Sequence, residues 1–87
     1  MLDLTLPTVH LNGTSRGVLV EAHQDALAAV LRAQDALRQA CPNARDYPTP
    51  EAASRAQDEH YSRVGRLQSV KDELQEILIH VAGVTLR

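Results

Sequence analysis

The chain has no tryptophan and no phenylalanine, and its aromatic rings are Tyr47 and Tyr61 alone. A core must therefore be assembled from Ala, Val, Leu and Ile, which pack closely but bury little area each. At about 25 cal/mol per Å² of apolar surface, such a core barely offsets the entropy of ordering the chain. With 87 residues there is one domain at most, in the size range where a lone core gives little stability. A partner surface is the usual remedy, and a second copy of the chain is the expected partner.

Other scarcities narrow the choice further. The single cysteine, Cys41, cannot staple the monomer and reads as a small buried hydrophobe near a helix end. Lysine occurs once, at Lys71, against eight arginines, and the formal charge is −2. That balance excludes the broad basic surface of a duplex-DNA binder. It leaves arginines free to gather locally around a small carboxylate or phosphate. No apolar stretch approaches the ~20 residues of a membrane helix, and the start of the sequence lacks the basic and apolar regions of a signal peptide. A cytoplasmic protein with no membrane partner is expected.

What is present is helical periodicity. Residues 1–15 read as an extended arm and cap loop, with Leu2, Leu4, Leu6, Val9 and Leu11 alternating and Pro7 excluding a central strand. Asn12-Gly13 predicts a turn with positive φ, and Thr14 or Ser15 can cap the helix after it. A first helix is expected over 16–41, with Leu19, Ala22, Ala26, Val30, Ala33, Leu37 and Ala40 at spacings of three and four. Val20, Leu27 and Leu31 form a flanking stripe. Pro42 ends this helix, and 42–49 is a compact reversal.

Thr49-Pro50-Glu51 reads as cap, N1 proline and acidic first turn of a second helix over 50–82. Its stripe is Ala53, Ala56, His60, Val64, Leu67, Val70 or Lys71, Leu74, Ile77 and Val81, with Gly83 as the stop before a tail over 83–87. Gly65 inside that helix implies either a close backbone approach or local strain. A short linker between two long helices gives an antiparallel hairpin. The fold class is thus all-α: two long antiparallel helices with an extended N-terminal arm, forming one domain that assembles into a homo-oligomeric bundle.

No catalytic constellation is visible, and no enzyme, cofactor or metal site is expected. The histidines at 10, 23, 60 and 80 are scattered, and no Gly-rich elbow surrounds a serine. His60 falls in the apolar stripe and reads as an interface histidine. His23 and His80 can approach in an antiparallel hairpin, but no His-x-x-x-His pair supports a metal. Asp58-Glu59 and Asp72-Glu73 read as surface charge pairs with neighbouring Arg and Lys.

Anion binding is better supported. The turn Asn12-Gly13-Thr14-Ser15 leads into a helix N-terminus, where backbone N–H groups and the helix dipole favour negative charge. By itself this is also what an ordinary helix cap looks like. Arg63 and Arg66, at i and i+3 beside Tyr61, add cationic donors on the second helix. A symmetric oligomer can bring several copies of one turn and one arginine around a single ligand.

The runs Leu6-Pro7-Thr8-Val9-His10-Leu11-Asn12-Gly13-Thr14-Ser15 and Pro42-Asn43-Ala44-Arg45-Asp46-Tyr47, with the later Glu59-His60 and Glu73-Leu74, resemble a group of short tailed-phage proteins. These are the anti-CBASS cyclic-oligonucleotide sponges, and the resemblance spans nearly the whole chain. It implies a homohexamer, acting in the cytoplasm of the infected bacterial host, that sequesters cyclic nucleotide messengers without cleaving them and so serves immune evasion. Asn12, Gly13 and Thr14 match the family's trinucleotide loop, and Arg66, or else Arg63, matches its arginine. The family's dinucleotide pocket uses an aromatic side chain and a lysine near the start of the first helix. No aromatic or lysine stands between Leu2 and Pro42, so a cyclic trinucleotide is the favoured ligand and a cyclic dinucleotide the lesser candidate. The rival class is a non-enzymatic helical adaptor of phage origin whose apolar faces bind another protein and no small ligand.

Overall fold

The computed structural model describes residues 4–83. The protein is an all-α hairpin of α1 (Arg16–Gln39) and α2 (Pro50–Ala82), joined through a single 3₁₀ turn (Ala44–Asp46). Residues 4–10 adopt no regular secondary structure and have no strand partner among the described residues. Residues 84–87 of the tail expected over 83–87, and Leu2 in the arm, lie outside the described residues.

Local chemistry places the helix ends. The Ser15 side chain accepts from the Val18 N–H at 3.3 Å, so Ser15 rather than Thr14 is the cap of α1. Thr49 Oγ1 accepts from the Ala52 N–H at 3.1 Å, Pro50 occupies the first turn, and Glu51 complements the dipole. Gly83 closes α2 with φ +72°, in the left-handed region that a side chain disfavours.

α1 stops at Gln39, two residues short of the expected 41. The Ala40 N–H bonds Leu37 O at 3.0 Å and the Cys41 N–H bonds Arg38 O at 3.3 Å. These are the tightened bonds of a terminal turn, and Pro42 pushes the residue before it away from helical backbone. Cys41 consequently lies beyond the last packed turn. It is exposed, not the buried hydrophobe its type suggests.

The seam between the helices follows the expected stripe on α2 more closely than on α1. Ala53 and Ala56 are buried, His60 is 5 % exposed and Val81 is wholly buried. Leu67, Lys71, Leu74 and Ile77 are half-buried, whereas Val64 and Val70 are exposed. On α1 the inward line is Leu19, His23, Ala26, Val30, Gln34 and Leu37, all half-buried. Ala22, Ala33 and Ala40 are exposed, a correction to the expected stripe. Spacings of three and four admit either neighbouring line, and the longer Gln34 reaches α2 where an alanine methyl does not. Gln34 Nε2 donates to Gln68 Oε1 at 3.0 Å across the seam, and Gln68 Nε2 donates to Asp72 Oδ1 at 2.9 Å.

No residue of α1 is buried. In the single chain one helix therefore leaves every apolar side chain at least partly wet. Leu31, Val64 and Val70 stand exposed along the hairpin, and Val18 near its open end.

Candidate functional site

Arg63 and Arg66 lie on one flank of α2 and share an open groove of about 320 Å³ with Leu37 of α1 and Leu67 and Val70 of α2. The spacing i, i+3 sets both guanidinium groups on one side of the helix, about 5–6 Å apart at their Cβ atoms. Arg66 Nε donates to Ser62 O at 3.4 Å, which orients the side chain and leaves its terminal nitrogens to other acceptors. Among the described residues the ion pair is Arg38–Asp35 at 2.5 Å, and neither groove arginine is neutralised. Two like charges side by side on a helix repel, and a bound anion relieves that repulsion. The lining is thus cationic at two points and aliphatic at three, suited to a ligand carrying phosphate beside a flat apolar group.

The expected surface charge pairs are absent among the described residues. Asp58 and Glu59 are exposed without an ion pair, and Asp72 takes its hydrogen bond from Gln68. Tyr61 is exposed and lies at a tilted 6.1 Å ring separation from His60. His23 and His80 are engaged apart from each other. His23 Nδ1 donates to Leu19 O in its own helix, and His80 Nε2 donates to Pro7 O of the arm, each at 2.7 Å.

The loop Asn12-Gly13-Thr14-Ser15 is exposed throughout. The Gly13 N–H bonds His10 O at 3.2 Å, closing a turn over His10-Leu11-Asn12-Gly13. Gly83 is the one described residue with positive φ, so Asn12-Gly13 does not adopt the left-handed turn its sequence predicts. Gly13 instead occupies the last position of an ordinary turn, where glycine is also favoured. A Cβ there would lie 2.8 Å from Nε2 of the exposed His10 ring, which would have to turn aside. Leu11, expected on the apolar side of the arm, is completely exposed.

The fold does not bring the loop and the arginines together within one chain. Leu37 lines the groove, and the 22 residues from Ser15 to Leu37, at about 1.5 Å each, separate the two features by roughly 33 Å. The groove is also at the low end of the range of about 300–1,000 Å³ typical of ligand sites. Leu37, Leu67 and Val70 are legible in the sequence only as core positions; their part in the groove comes from the crossing of the helices, which no local pattern encodes.

Gly65 lies in α2 between the two arginines in sequence but does not line the groove. Nothing lies within 4 Å of a Cβ built on it, and the helix runs through it without interruption. Within the chain there is neither the close approach nor the strain its presence implies. Gly65→Ala is accordingly expected to raise helix stability by about 0.5–1 kcal/mol, read as a melting temperature several degrees higher in dilute solution.

No protein-family model matches the chain, and neither a curated protein nor a solved structure matches it.

Proposed function

We propose that this chain is a self-assembling, non-catalytic receptor that sequesters cyclic oligonucleotide messengers, cyclic trinucleotides foremost, in the manner of the anti-CBASS sponges its motifs resemble. The observation that carries the reading is the groove in which Arg63 and Arg66, without an ion pair among the described residues, stand beside Leu37, Leu67 and Val70. Guanidinium groups hold phosphate in charge-assisted, paired bonds, while aliphatic side chains accept the face of a base. Such chemistry binds without breaking bonds, as sequestration requires.

The groove is half of a site. Asn12, Gly13, Thr14 and Ser15 carry the complementary donors, and their distance from the groove means that another copy must present them. The exposed apolar side chains of a hairpin whose first helix has no fully buried residue supply the reason for copies to associate. Symmetry then repeats loop and groove around one cyclic ligand. A homohexamer is the assembly proposed, with the cytoplasm of the infected bacterial cell as its place of action.

The test mixes purified protein with cyclic tri-adenylate or cyclic GMP–AMP and follows melting. At ligand a hundredfold above Kd, binding adds about 2.7 kcal/mol of stability, or a rise of more than about 10 °C for a domain this small. That rise is expected with the trinucleotide and little of it with the dinucleotide, with intact nucleotide recovered after heating. No shift with either ligand would leave the adaptor reading in its place. Light scattering should give the mass of a multimer; a stable, fully folded single chain would remove the basis for a shared site.

A further inference from the structure

We infer that His80 clasps the N-terminal arm and so presets the Asn12-Gly13-Thr14 loop; its relevance to ligand binding rests on the function proposed above. The arm has no strand partner among the described residues, and short segments without a backbone ladder fray readily. Here it is held from outside itself. His80, in the last turn of α2, donates from Nε2 to the Pro7 carbonyl at 2.7 Å. Among the described residues this is the side-chain hydrogen bond that ties the arm to the helices. A carbonyl only accepts, so Nε2 carries the proton, and proline offers no N–H, which makes this carbonyl its sole backbone partner group.

His10 follows three residues after Pro7. Its carbonyl takes the Gly13 N–H at 3.2 Å, and its ring packs against Gly13 so closely that a Cβ would meet Nε2 at 2.8 Å and Cε1 at 2.9 Å. Downstream, Ser15 is committed to capping α1 through Val18. The loop is therefore bounded by a fixed arm on one side and a fixed helix end on the other. Leu4, Pro7 and Val9 are half-buried as the arm lies down, while Leu11 and the loop stay open to solvent. A loop ordered before binding spares the ligand the entropy of ordering it. His80 is thus a positioning residue: it acts on a ligand only through the loop.

The test uses the full chain without ligand, under limited thermolysin digestion at the bonds before Val9 and Leu11. His80→Ala is expected to speed cleavage there about 2- to 10-fold, the range for losing one hydrogen bond, with cleavage inside α1 and α2 and the melting temperature almost unchanged. His80→Gln, whose amide also donates to a carbonyl, restores slow cleavage. An arm as resistant in His80→Ala as in the parent, a Gln variant as loose as Ala, or equal loosening of arm and helices each overturns the clasp. Affinity for cyclic tri-adenylate should fall in His80→Ala by a similar factor and recover in His80→Gln; unchanged affinity with a loosened arm overturns the positioning role. A parent protein that binds no cyclic nucleotide, with its arm loosened by His80→Ala alone, strikes the functional reading and upholds the clasp.

Discussion

Arg66→Ala is expected to weaken cyclic tri-adenylate binding about 10- to 100-fold, and the double change of Arg63 and Arg66 to Ala more than about 100-fold. Each guanidinium contributes hydrogen bonds to a charged partner worth about 1.5–3 kcal/mol net, and tenfold in Kd corresponds to about 1.4 kcal/mol. Both side chains are exposed, so folding is largely indifferent to their removal, and the mass of the assembly should not change. Arg66→Lys keeps the charge but loses the planar fork, and is expected to fall between parent and Ala. Thr14→Ala removes a neutral donor and should cost up to about tenfold. Calorimetric titration separates these values. If the double variant and Thr14→Ala both bind as the parent does, the groove and loop are not the site, whatever the ligand.

The largest loss of stability is expected from Val81→Asp. Among the described residues Val81 is the side chain wholly removed from solvent, and it lies in the last turns of α2, next to the Gly83 stop. An aspartate there buries a charge and sets it at the negative end of the helix dipole. Buried charges without a partner built for them belong to the severe class of substitution, about 3 kcal/mol or more. At roughly 4–8 °C per kcal/mol, the melting temperature should fall by more than about 12 °C. Val81→Ala, which only empties space, should fall much less. Equal, small effects of both would mean that this end of the hairpin is open in solution.

The helices are legible in the sequence because their signals are local. Ser15, Thr49-Pro50-Glu51, Pro42 and Gly83 mark ends through the chemistry of single residues, and the α2 stripe keeps one line for most of its length. α1 is harder to read because alanines at 22, 33 and 40 lie off the true line. A pattern that scores alanine as apolar and glutamine as polar selects the wrong neighbour. Gln34 enters the seam because Gln68 waits opposite it, and that pairing depends on register between helices. The same holds for the site. Arg63 and Arg66 share a side by helical arithmetic, whereas the groove walls, the distance to the loop and the hold of His80 on Pro7 are products of the hairpin's crossing and of where the arm lies down. Residue type alone sends Cys41 to the interior, while its place past the last packed turn decides the matter the other way.

The hairpin is a rod, 59 Å long and 25 by 23 Å across. A body of that axial ratio suffers more frictional drag than a sphere of equal mass. A lone chain would elute early from a calibrated column and pass for a larger species. Copies laid side by side fatten the particle faster than they lengthen it, so assembly makes it rounder. Sedimentation should therefore show the frictional ratio dropping as mass rises, the reverse of what end-to-end stacking would give.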